Sequence, residues 1–248
     1  MAEIILDHAC VEFSIYNARS RSLRNDLMKR VGGHLGGSPK DDRVVVHALR
    51  DINLHLQAGT RLALVGHNGA GKSTMLRLLS GVYEPSAGRA VITGKVSSLL
   101  DLSMGMDVEQ TGRDNIILRA VFLGMTFTQA KALVPEIAEF SELGPYLDLP
   151  MRTYSSGMAM RLGFGVSTAI QPDILLMDEM ISVGDVRFAA KAKARLQKLM
   201  EQARIWSSPR TISETLREYC DRAVWLQEGR IVADGPLEDI LARAHAPD

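Results

Sequence analysis

The sequence predicts an α/β fold built around a phosphate-binding loop. Three observations carry that expectation. The first is the glycine-rich run Gly66-His67-Asn68-Gly69-Ala70-Gly71-Lys72-Ser73-Thr74. The second is the short apolar run from Arg61 to Val65 that leads into it. The third is another apolar run, Ile174 to Met177, that ends in Asp178-Glu179. A short continuous apolar run is how a buried strand reads, and a strand that feeds a glycine loop delivers the chain to a helix N-terminus.

The bounds agree with this class. The chain has 248 residues, 46% hydrophobic, enough for one large α/β domain with an inserted subdomain. Its 29 basic and 29 acidic residues balance, so bulk charge does not point to a nucleic acid partner. Two cysteines, Cys10 and Cys220, lie far apart and form neither a disulfide framework nor a metal-ligand spacing. A reducing compartment fits them. The first ten residues alternate and carry Glu3 and Asp7, unlike a signal peptide. No run reaches the roughly 18 apolar residues of a spanning helix, so a membrane function requires a partner that supplies the membrane part.

Along the chain, residues 3–16 read as a strand region. Residues 17–43 form a basic, then glycine-rich insertion that includes Arg19, Arg21, Arg24, Lys29, Arg30 and Lys40. It reads either as a solvated surface or as a face that meets anionic lipid or a partner's loops. Val44 to Leu49 and Ile52 to Leu56 alternate as two strands. Val91-Ile92 and Val96 to Leu102 are further strand candidates. Residues 114–125 and 128–142 carry helix-spaced apolar positions, and Ser155 to Ile170 is another helix. Together they suggest a helical subdomain inserted at about 105–165. A charged amphipathic helix covers 186–203. The tail gives strands at Ala223 to Leu226 and Arg230 to Ala233 around a Glu228-Gly229 turn, then a last helix.

The loop fits G-x-x-x-x-G-K-[ST], and phosphate chemistry needs that spacing. Glycines let backbone N–H groups of Gly66 to Thr74 turn inward around an anion, and the helix N-terminus adds partial positive charge. Lys72 reaches the β- and γ-phosphates, and the Ser73 hydroxyl ligates Mg²⁺. At the end of the second run Asp178 suits the metal side, and Glu179 can orient or deprotonate a water. Tyr154-Ser155-Ser156-Gly157-Met158 opens a helix. It reads as a serine N-cap or as a second helix start facing a phosphate.

These elements, in this order, resemble the ATP-binding-cassette ATPases over nearly the whole chain. The resemblance implies one such ATPase domain over 1–248, with an antiparallel β portion near its N-terminus and the helical subdomain carrying the signature motif at its end. It implies bound ATP and Mg²⁺, catalytic Glu179 and Lys72, a signature motif at Tyr154 to Met158, and Asp185 in the segment after the second apolar run. Two copies would pack head to tail, with Ser155, Ser156 and Gly157 of one closing on the γ-phosphate held by the other. Tyr16 stands where an aromatic residue stacks on adenine, although a core tyrosine fits the same position. The stretch TYSSGMAMRLGF, Leu99 to Leu102 with Thr111 to Ile116, and the basic segment near RSRSLRN look like the bacterial exporters of O-antigen, capsule and teichoic acid. That narrower resemblance implies a peripheral ATPase on the cytoplasmic face of the inner membrane. Its partners would be an integral membrane permease and, indirectly, a polysaccharide, with no nucleic acid involved.

One stretch departs from the family pattern. The γ-phosphate histidine expected after the next strand falls at Thr211, and Trp206-Ser207-Ser208-Pro209-Arg210 reads as neither apolar nor strand-like. Read one base earlier, the codons of Trp206 to Ser213 permit Leu-Val-Leu-Ala-Ser-His-Asp-Leu, an ordinary histidine-bearing strand of the same length. The printed residues imply instead a nucleotide-binding subunit with impaired or no hydrolysis. Replacing 206–213 by the shifted reading is expected to raise ATP turnover about 10²–10³-fold, the usual cost of one lost transition-state contact. Equal turnover of the two forms would show that this segment does not limit hydrolysis, and a clean, unshifted open frame in the sequenced gene and in relatives would overturn the frame-shift reading.

Overall fold

The computed structural model describes residues 2–16, 34–36, 43–177, 186–203, 205–208 and 214–244. In chain order the strands are β1 (Glu3–Tyr16), β2 (His34–Gly36), β3 (Arg43–Gln57), β4 (Arg61–Val65), β5 (Ala87–Thr93), β6 (Val96–Ser98), β7 (Ile174–Leu176), β8 (Ile205–Ser208), β9 (Arg222–Gln227) and β10 (Arg230–Pro236). The helices are α1 (Lys72–Leu79), α2 (Gly112–Phe122), α3 (Phe127–Ser141), α4 (Ser156–Ala169), α5 (Val186–Gln202), α6 (Glu214–Tyr219) and α7 (Leu237–Ala244). They group into two compact units. One holds Met1–Lys95, Leu176–Glu179 and Arg204–Asp248, and the other Val96–Leu175 and Met180–Ala203.

The first unit contains an antiparallel sheet in the order β2-β3-β1-β5. The sequence suggested two strands where β3 runs unbroken, and bulges account for the difference. His8 in β1 and Asp51 in β3 both adopt positive φ, 48° and 54°. The His8 N–H donates to Asn53 Oδ1 at 2.9 Å, and its ring Nδ1 lies 2.7 Å from Asp51 Oδ1. The extra residues reset the alternation, so Leu49 and Ile52 are both buried although three positions apart. That pairing with Asp51 raises the pKa of His8 above its ordinary value.

In the same unit β4 pairs in parallel with β8 on one side and β9 on the other, and β10 returns antiparallel to β9. Leu62, Ala63 and Leu64 are fully buried, as their apolar run implies. The Ser-rich residues of β8 pair Arg61 with Trp206 and Ala63 with Ser208. The residue types of this segment predict no strand, yet it forms one. The ladder uses backbone groups alone, and β4 would otherwise leave buried N–H and C=O groups unpaired.

The second unit packs α2, α3 and α4 around Ile116, Ile137, Leu162 and Val166. Phe140, Phe164 and Phe188 form an adjoining aromatic cluster with ring centroids 5.3–6.4 Å apart. Thr126 and Gln129 form a capping box that starts α3.

Strand β6 ends at Ser98, short of the Leu102 expected from sequence, because the following segment is recruited elsewhere. Arg119 of α2 is only 1% exposed. Its guanidinium donates to the carbonyls of Asp101 and Met104 and to Ser167 Oγ of α4. Burial pushes its pKa down to about 10, partly offset by the Asp101 charge, so it remains a cation at neutral pH. The Leu102 carbonyl sits so close to Gly163 of α4 that a Cβ there would lie 2.3 Å from its oxygen. The turn at 101–103 is closed by Asp101 Oδ1, which accepts from the Ser103 N–H and hydroxyl.

Arg119→Met removes the donors that hold both carbonyls. It is expected to cost about 2–3 kcal/mol in urea unfolding, the penalty for orphaned buried acceptors. Arg119→Lys recovers only part, since one ammonium cannot replace a planar fork. A loss indistinguishable from that of an exposed arginine, such as Arg152→Met, would show that the buried cation has no such role.

Candidate functional site

The phosphate loop is built by β4, which delivers a rigid, buried strand to Gly66, and by α1, which begins at Lys72. Gly66, Gly69 and Gly71 have φ of 152°, 82° and 106°, a region side-chain-bearing residues rarely adopt. Gly66 has a second constraint, since a Cβ there would lie 2.3 Å from the Leu226 carbonyl oxygen. Ala70 is buried, and its N–H donates to the His67 carbonyl at 3.1 Å. His67, Asn68, Gly69 and Ser73 are exposed, Gly66, Gly71, Lys72 and Thr74 partly so.

Helix α1 starts without a side-chain cap and has no acidic residue in its first turn. Its leading N–H groups and positive dipole end are therefore available to an anion. Lys72 Nζ donates to the Gly66 carbonyl at 2.6 Å and the His67 carbonyl at 2.9 Å, which bends the ammonium over the loop. Backbone N–H groups, a helix start and a lysine thus meet in one loop, the arrangement that cradles a polyphosphate. Ser73 stands exposed in the first turn, a hard oxygen donor of the kind that Mg²⁺ takes beside phosphate oxygens.

In the second unit Ser155 is the N-cap of α4, with its Oγ accepting from the Met158 N–H at 3.2 Å. Ser155, Ser156 and Gly157 are all exposed. Tyr154 anchors the helix start. Its hydroxyl donates to the Tyr146 carbonyl at 2.7 Å, and it fills the space beside Gly112, where a Cβ would lie 2.1 Å from the phenol oxygen. Burial raises the Tyr154 pKa, so the phenol stays neutral. A cavity of about 350 Å³ opens beside Ser155, Gly157 and Arg161, with Tyr146 on its wall.

Several residues expected from sequence lie outside the described residues: Asp178, Glu179, Asp185 and Thr211. Asp178 follows Met177, just beyond β7, and Asp185 immediately precedes α5. Tyr16 ends β1 opposite Arg43, and its side chain is not described. Of the insertion at 17–43, only β2 and Arg43 fall among the described residues.

Sequence reasoning missed the neighbours that shape the loop. Ala48 and Leu49 lie against Gly71, and Leu226 against Gly66, with the Glu228-Gly229 turn alongside. The turn was legible as a turn, but nothing local ties it to a loop more than 150 positions earlier.

The loop and its flanking strands fall within residues 49–182, which match the family model described as ABC transporter. The chain belongs to that family. It is similar to the O-antigen export system ATP-binding protein RfbE of Yersinia enterocolitica, 42% identical over 232 residues, covering 93% of this chain and 97% of that protein. It is 40% identical over 201 residues to the O-antigen export system ATP-binding protein RfbB of Myxococcus xanthus, spanning 81% of this chain and 46% of that protein. It is 38% identical to the teichoic acids export ATP-binding protein TagH of Lactococcus lactis, spanning 78% of this chain and 41% of that longer protein. Among solved structures, an ATP-binding subunit of an ABC transporter matches with TM-score 0.67 at 21% identity, covering 97% of this chain and 92% of that chain. A dimeric ATP-binding cassette in a post-hydrolysis state, bound to ADP and Pi, matches with TM-score 0.65 at 17% identity, covering 94% of this chain and 98% of that chain. The ABC ATPase fold expected from the sequence is the fold observed, and the chain carries the ATPase domain of this family.

Lys72→Met is expected to weaken ATP binding about 10–100-fold, the value of a hydrogen-bonded charge on a phosphate. Titration calorimetry on the full chain reads it. An unchanged Kd would remove Lys72 from the phosphate site.

Proposed function

We propose that this chain is the ATP-hydrolysing subunit of an exporter that moves a surface polysaccharide, O-antigen or a related glycan, across the bacterial inner membrane. The observation that carries this reading is the phosphate loop geometry in a chain 42% identical to an O-antigen export ATP-binding protein along nearly its full length. No helix among the described residues is long and apolar enough to cross a membrane. The export-system names of its relatives support a separate integral permease as partner, with this subunit bound at its cytoplasmic face.

Two copies work as a head-to-tail pair. Gly66 to Thr74 of one hold the phosphates of ATP, and the exposed Ser155, Ser156 and Gly157 of the other close on the γ-phosphate. Closure of the pair on bound ATP supplies the force that reorients the permease, because ATP contributes contacts to both copies only in the closed state. Ser73 and Asp178 would hold Mg²⁺, which would supply charge neutralisation to the bound phosphates. Lys72 neutralises the γ-phosphate from within the loop. Glu179 accepts the proton of the attacking water, and Asp185 follows it in the segment that meets the other copy. Tyr16 stacks on the adenine.

Steady-state hydrolysis by the purified full chain, with Glu179→Gln as the blank, tests the chemistry. The wild-type chain is expected to turn over ATP at least about 10²-fold faster than the blank. Turnover equal to the blank would favour a subunit that binds without hydrolysing, as the printed Thr211 implies. Co-purification with a polytopic membrane protein from the native host tests the transport assignment.

A further inference from the structure

We propose that the β9–β10 turn, Glu228-Gly229, positions the phosphate loop for nucleotide, acting through Arg50 and Ala70. The proposal rests on the reading of Gly66 to Thr74 as the ATP site.

Strand β9 runs parallel to β4, with Val65 opposite Trp225, so the two strands end side by side. Past those ends, β4 opens into the phosphate loop and β9 into the turn. Three contacts then join them. The Gly229 N–H donates to the Ala70 carbonyl at 3.1 Å, and the Gly229 carbonyl accepts from the Arg50 N–H at 2.7 Å. Arg50 Nη2 donates to the Glu228 carbonyl at 2.6 Å. The turn is therefore bound to the loop on one side and to β3 on the other.

Ala70 is the residue through which this matters. It precedes Gly71 and Lys72, and its peptide plane sets the direction of the N–H that follows. A hydrogen bond that fixes its carbonyl outward, toward Gly229, turns that neighbouring N–H toward the concave side. The fit leaves no slack. Glu228 and Gly229 both have positive φ, 47° and 75°. A Cβ on Gly229 would lie 2.6 Å from the Ala48 carbonyl oxygen, and one on Gly71 would lie 3.0 Å from the same oxygen. The Ala48 carbonyl is thus wedged between loop and turn, and a shift of the turn must displace the loop.

The far end of the same hairpin supplies a control. Arg222 forms a two-pronged ion pair with Asp234, at 2.7 and 2.6 Å, and donates to the His55 carbonyl at 2.9 Å. Those contacts hold the hairpin but do not touch the phosphate loop.

The test measures Mg-ATP Kd, the KM and kcat of hydrolysis, and the Tm of the full-length chain. Gly229→Ala is expected to raise Kd and KM by roughly tenfold, and Arg50→Met by about threefold, with kcat changed less than KM. Arg50→Lys is expected to fall between Arg50→Met and wild type. Arg222→Ala is expected to lower Tm and leave Kd unchanged. If Gly229→Ala does not fold, the Arg50 pair decides. Variants that lower Tm without moving Kd, as Arg222→Ala does, overturn the proposal while leaving the ATP site intact. A wild-type chain that binds no ATP overturns both.

Discussion

Everything proposed for this chain depends on one geometric demand, that several backbone N–H groups point at a common centre. At the turning points, residues with a Cβ would be strained by positive φ or would meet neighbouring carbonyls. The loop meets the demand with glycine at the turning points and with carbonyl oxygens of Leu226 and Ala48 packed where side chains would stand. The rest of the first unit supports that arrangement. Buried β4 fixes where the loop begins, and Met75, Leu76, Leu78 and Leu79 press α1 into the core so that its N-terminus cannot tilt away. A loop held in this way needs little reorganisation of the chain to receive an anion.

The second unit solves a different problem, the presentation of a helix end. Ser155 caps α4 and Tyr154 pins it, while the exposed Ser156 and Gly157 remain open to a partner surface. The buried end of α4 is held by Arg119. A lone cation in an apolar core would be costly, but here three oxygens accept from it and the Asp101 charge offsets part of its burial. The result is a helix whose capped N-terminal tip is polar and exposed.

The sequence and structure agree best where the determinants are local. The glycine spacing, the apolar run of β4 and the serine start of α4 each announce themselves within a few residues. The paired bulges at His8 and Asp51 did not, because each residue alone looks like an ordinary polar strand position. Their meaning lies in a contact across 43 positions. Arg119 reads as a surface residue of an amphipathic helix, and only the folded chain shows its partners at Asp101, Met104 and Ser167. Ser207 and Ser208 misled in the opposite direction. Their side chains argue against a strand, whereas their backbones complete one beside β4. The order of the motifs points to the family, whose model matches residues 49–182.

The close seat of the Leu102 carbonyl against Gly163 makes α4 a keyed shaft rather than a smooth one. The helix cannot slide along its axis or roll about it without lifting the 101–104 segment and dragging the Arg119 guanidinium with it. A shift or roll of α4 would therefore meet the 101–104 turn beside its middle first.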